Sequence, residues 1–111
     1  MVVAKKTDLL QGTLDMLVLR VLSRGESHGW GIANKLEQFS SKALQVDEGT
    51  LYPALYRMED RGWIEAEWKL TENNRKAKYY TLTRLGRKQL EVEQASWDRM
   101  TGIIAQVMNA T

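Results

Sequence analysis

The segment from Asp47 to Gly62, DEGTLYPALYRMEDRG, is followed at once by a change in the apolar period from 3.6 residues to 2. Leu51, Leu55 and Met58 recur at helical spacing, whereas Tyr52, Tyr56 and Arg57 stand away from that stripe, where a core has no need of them. Asp47 or Thr50 can cap the helix, and Pro53, the chain's only proline, fits near the first turns rather than deep in a long helix. Gly62 stands where a left-handed residue ends a helix. Beyond it Ile64, Ala66, Trp68 and Leu70 alternate with Glu65, Glu67 and Lys69, the pattern of a half-buried strand with its apolar set facing in. Glu72-Asn73-Asn74-Arg75 supplies turn chemistry, and Lys78 to Leu82 forms the return strand. Few small folds place a helix with an apolar back and a polar aromatic front directly before a hairpin.

The rest of the chain narrows the choice. Leu10, Leu14, Leu17, Val18, Val21 and Leu22 predict a first helix, with Thr7, Asp8 or Thr13 as start signals and Gly25 as the stop. SRGESHG reads as a loop, and a second helix follows from about Trp30 to Ser40 with Ile32, Ala33, Leu36 and Phe39 inward. Thr83 caps a last helix in which only Gly86 and Gly102 interrupt the pattern before Val107. The fold class is therefore mainly α with a small β-hairpin: a winged helix-turn-helix over residues 1–82, followed by a C-terminal dimerisation helix over 83–111 in the same compact unit. Leu90, Trp97 and Ile104 fall seven apart on that last helix, as do Met100 and Val107 on the neighbouring seam. So long an apolar stripe finds no obvious partner inside 111 residues, and a second copy of the chain is the simplest cover.

The residue inventory argues against catalysis. There are no cysteines and one histidine, and no paired carboxylates stand close together, so no cofactor or metal is expected. No apolar run approaches the ~18 residues of a membrane span, and the N-terminus lacks a secretory stretch, which points to the cytoplasm. The net charge is only +2, but the segment from Lys69 to Lys88 carries +6 and the remainder −4. A basic patch on a nearly neutral chain is the electrostatic footprint of a DNA contact.

Taken together, LLQGTLDMLVLRVL, HGWGIANKL, GTLYPALYRMEDRGWIEAEW and RKAKYYTLTRLGRKQL resemble the PadR-type bacterial transcriptional regulators, in their short subfamily with a single C-terminal helix. The resemblance spans about Leu9 to Ile104; Trp30 stands where many relatives have tyrosine. It implies a homodimeric winged-helix repressor on an inverted-repeat operator, with the third helix in the major groove and the wing on the flanking backbone or minor groove. Two-fold symmetry then separates the half-sites by roughly 34–36 Å, one helical turn. In the short subfamily a tryptophan in the context that ASWDRMTGII matches here can line a cavity between subunits, where a small planar aromatic effector stacks. Trp97 is that residue, with Leu90, Met100 and Ile104 along the interface; the alternative is a filled seam that only holds the dimer.

On these readings Glu48, Gly49, Thr50, Tyr52, Pro53 and Tyr56 are candidate DNA contacts on the front of the third helix, and Arg75, Lys76 and Lys78 on the wing. Against this, Gly49 and Pro53 can serve only to shape the helix start, and basic residues populate solvated hairpin tips in any protein. Arg84, Arg87 and Lys88 oppose the dipole of the last helix, a placement that nearby phosphates would explain as well as solvent does. Tyr79 and Tyr80 must face opposite sides of their strand, Tyr80 with the core, and His28 is expected to cap or pack at the second helix, with pH sensing as its alternative. The competing function is a winged helix that holds a protein partner without specific DNA binding.

Overall fold

A computed structural model describes residues 11–111, in the order α1 (Gln11–Leu22), β1 (Ser27–His28), α2 (Gly29–Phe39), α3 (Glu48–Asp60), β2 (Ile64–Leu70), β3 (Lys76–Leu82) and α4 (Arg84–Met108). The candidate start signals Thr7 and Asp8, and Leu10 of the first stripe, lie outside the described residues. Leu14, Val18, Val21 and Leu22 of α1 pack with Ile32 and Leu36 of α2 and with Leu51, Leu55 and Met58 of α3 in one core, which Ile64, Tyr80 and Leu82 of the sheet close.

Local signals account for the boundaries of α3 and α4. Asp47 Oδ1 accepts the Thr50 amide at 2.9 Å, satisfying one of the orphan donors at the start of α3. At the other end Gly62 has φ +78, and the Trp63 and Gly62 amides donate back to the Met58 and Glu59 carbonyls. That is the paired closure of a Schellman cap, and it needs a residue at ease in the left-handed region. Thr83 Oγ1 accepts the Gly86 amide at 2.9 Å and lies 2.6 Å from the Gly62 carbonyl, so one hydroxyl starts α4 and ties it to the end of α3. A Cβ on Gly86 would run into the Trp63 carbonyl, so the glycine permits α4 to begin directly against the strand.

The sheet has three antiparallel strands in the order β1-β3-β2. The expected loop SRGESHG thus hides a strand of two residues, Ser27 and His28, opposite Tyr80 and Tyr79. Its pairing partner is some fifty positions away in sequence, so no local pattern announces it. In the hairpin Ile64 faces Leu82, Ala66 faces Tyr80, Trp68 faces Lys78 and Leu70 faces Lys76. The alternation is as expected, but burial along it fades: Ile64 is buried, Ala66 half-buried, and Trp68 and Leu70 are exposed. The strand simply outruns the core. Phe39 departs from expectation for a similar reason: it lies on the last turn of α2, exposed, with the Arg24 guanidinium 5.5 Å from its ring centroid.

α4 has 25 residues, a length of roughly 38 Å at the usual rise. Only Gly86 and Leu90 on it are buried, and it packs against α1. Leu90, expected on the intersubunit seam, belongs to the core of its own chain. It lies near the start of the helix, where α1 covers it, so it offers a partner little surface.

Candidate nucleic-acid interface

With Leu51, Ala54, Leu55 and Met58 buried, α3 has no choice about which side it turns outward. Glu48, Gly49, Pro53 and Tyr56 are exposed there, and Thr50 and Tyr52 are half-buried. Packing does not require glycine at position 49, since the nearest atom to a Cβ would be Asp47 Oδ1 at 3.8 Å. Gly29 is different. A Cβ there would collide with the phenol of Tyr52, so the first residue of α2 is the surface on which that ring lies.

The three wing cations have separate situations. Arg75 and Lys76 are exposed at the tip, and neither makes an ion pair among the described residues. Lys78 is half-buried: its ammonium lies 3.2 Å from Glu59 Oε1, with the rings of Tyr56 and Tyr80 5.6 and 5.9 Å away. It therefore fastens the wing to α3 and neutralises a carboxylate at their junction. Lys69 is likewise engaged, at 2.7 Å from Glu26. Arg57 is no front-face residue; it reaches back to Asp15 on α1, whose side chain is almost fully buried.

Between the start of α2, α3 and the wing lies an open cleft of about 700 Å³, whose lining includes Trp30, Tyr52, Tyr56, Trp68, Lys76 and Tyr79. Of the expected residues it unites Tyr52, Tyr56, Arg75, Lys76 and Lys78, while Glu48, Gly49, Thr50 and Pro53 are not part of its lining. Tyr80 forms the cleft's inner edge and is otherwise buried; burial first, and the Glu59 carboxylate second, push its phenol up to about 12. His28 Nδ1 accepts the Gly31 amide at 3.0 Å, so it caps α2 as expected, and its ring meets Tyr79 edge-on at 5.1 Å. Sequence reasoning missed Trp30 and Trp68 as members of this surface, though they are 71% and 66% exposed. The signal available was their size: an indole left in water by both neighbouring elements is unusual enough to ask what covers it. Further along α4, Trp97, Met100 and Ile104 are all exposed. No helix among the described residues is long and apolar enough to cross a membrane, and no group of three or more His, Cys, Asp or Glu among them can hold a metal ion.

The sequence pattern of the PadR-like transcriptional regulators matches residues 18–92, from α1 through the wing to the start of α4. The chain belongs to that family. Among PadR-like structures, one from Bacillus cereus is 30% identical and superimposes with a TM-score of 0.78, covering 92% of this chain and 97% of the other. A transcriptional regulator from Clostridium thermocellum, 26% identical, gives 0.81 over 89% and 96%. An uncharacterised protein of Lysinibacillus sphaericus is 29% identical over 99 residues, 89% of this chain and 91% of its own. As a PadR-like protein the chain is a DNA-binding transcriptional regulator and not an enzyme.

Proposed function

We propose that this PadR-like chain works as a homodimeric repressor on an inverted-repeat operator, with α3 in the major groove and the wing on the adjacent backbone or minor groove. The observation that carries the reading is the orientation of α3. Its apolar stripe is fully buried, so Tyr56 faces outward and Thr50 and Tyr52 are left half-exposed beside a wing whose Arg75 and Lys76 are exposed. Phosphate contacts of the wing would then supply affinity, and the polar front of α3 would read base edges. Glu48, Gly49 and Pro53 at the head of α3 would lie nearest the groove floor.

The second part of the reading is the dimer. Beyond Leu90, α4 presents Trp97, Met100, Ile103, Ile104 and Val107 to water, an apolar stripe of a size that monomers rarely expose. Self-association through the same face of two copies covers it and sets two reading helices at a fixed separation. A small planar aromatic effector stacking between the two Trp97 rings would release DNA by favouring a different separation. A filled seam leaves the dimer without that control.

Fluorescence anisotropy on the DNA directly upstream of the protein's own gene, against scrambled DNA and at two salt concentrations, tests the reading. Tight, salt-sensitive and preferential binding is expected. Weak binding to both, insensitive to salt, would favour a winged helix that serves as a protein-interaction module instead.

A further inference from the structure

Two of the four tryptophans stand where neither the core nor the stripe on α4 can use them. Trp30 is on the first turn of α2 and Trp68 on β2 beyond the edge of the core; both are exposed, and both line the cleft between α3 and the wing. The cleft's lining also includes Tyr52, whose phenol lies on Gly29, and Tyr56. Its cations are Lys76 and Arg75, while Lys78 cancels the Glu59 carboxylate at its base. The opening is thus lined by indole and phenol rings, and at the wing tip the two cations Arg75 and Lys76 outnumber the one carboxylate of the lining, Glu72.

Resting on the DNA reading given above, a simple geometric constraint follows. A major groove and the minor groove next to it are separated by one sugar–phosphate strand. A protein that puts a helix in one and a hairpin in the other must straddle that strand. The cleft between α3 and the wing is a space of that kind.

We propose that this cleft seats one sugar–phosphate strand of the bound duplex, with the indoles of Trp30 and Trp68 as its two walls. Indole can only donate, and a phosphate oxygen can only accept, so the match of roles is complete. The flat faces of the rings suit deoxyribose, and Lys76 and Arg75 neutralise the phosphates as the strand leaves the cleft. The occupant is backbone, so the contact carries affinity and register and no base preference.

The test compares wild type with Trp30→Ala, Trp68→Ala and, as reference, Lys76→Ala. Binding is measured by anisotropy on the duplex upstream of the gene and on a mixed-sequence duplex, across a salt series. Each tryptophan variant is expected to weaken binding about tenfold on both duplexes, the loss of one hydrogen bond to a charged group with its packing. The salt slope should stay that of wild type, because a neutral indole displaces no counterion; Lys76→Ala should flatten it by about one. Both indoles are exposed, so unchanged thermal melting will show that the fold is intact. Wild-type affinity in both tryptophan variants, with Lys76→Ala still weakened, overturns the strand seat and leaves the DNA reading standing. A loss confined to the upstream duplex overturns it too, by making the indoles base readers. Salt-independent or absent binding of the wild type to both duplexes removes the DNA reading itself.

Discussion

Arg57 Nη2 on α3 lies 2.5 Å from Asp15 Oδ1 on α1, and this pair ties α3 to the inside of the molecule. Asp15 is almost fully buried and Arg57 about three-quarters so. Burial pushes the Asp15 carboxyl above its ordinary range, and the Arg57 hydrogen bond and charge oppose that push without cancelling it. The nearby charges of Arg61 and Glu93 act on it with opposite signs. The elements α1, α3 and α4 thus meet electrostatically at one carboxylate.

The two partners are expected to respond unequally to removal. Arg57→Ala leaves a buried carboxylate without its donor and should cost about 3 kcal/mol, whereas Asp15→Asn should cost about 1 kcal/mol because the half-wet guanidinium can turn to solvent. The pH dependence has a definite sign. With the folded pKa above the unfolded one, the native state holds the extra proton, so stability falls as pH rises from 3.8 through the raised value. Arg57→Ala should widen that window and Asp15→Asn abolish it. Urea denaturation at a series of acidic pH values will measure both.

Gly86→Ala is expected to destabilise the chain by about 3 kcal/mol, the upper end for overpacking, because the obstacle is the Trp63 backbone carbonyl and not a side chain that can swing away. Gly102→Ala serves as comparison, since a Cβ there has open space within its own chain. Thermal melting of the two variants should separate them clearly, and equal melting points would show that α4 can begin elsewhere.

Thr50→Ala is expected to weaken operator binding by about 1–3 kcal/mol and to leave mixed-sequence binding nearly unchanged, as befits a base reader, whereas Tyr56→Ala, in the lining of the cleft, should weaken binding to both duplexes. Tyr56 is 63% exposed, so its loss should not disturb the fold. Tyr52→Ala is the less clean probe because the ring is packed on Gly29. Operator affinity that survives both substitutions would remove α3 from the recognition role.

Trp97→Asp is expected to yield monomers in sedimentation velocity, because it puts a charge in the middle of the exposed stripe that Met100 and Ile104 continue. Leu90→Ala should instead lower stability by roughly 2–4 kcal/mol, as a core residue does. A dimer of undiminished strength in Trp97→Asp would place the interface away from α4.

What could be read from the sequence was whatever depends on neighbours within a few residues. The caps of Asp47 and Thr83, the left-handed closure at Gly62, the stripe of Leu51, Leu55 and Met58, and the inward turn of Tyr80 are of this kind. Each rests on a hydrogen bond or a period that the chain carries locally. The tertiary structure alone decided where the core ends. Trp68 and Leu70 continue an inward alternation, Phe39 an inward helical stripe and Leu90 an outward heptad, yet the first three are exposed and the last is buried. It also decided the two-residue strand opposite Tyr79 and Tyr80, the capture of Arg57 by Asp15, and the meeting of Trp30 and Trp68 across one cleft. Periodicity says which side of an element is apolar, but burial depends on how far the elements packed against that side extend, and that length is set by other parts of the chain.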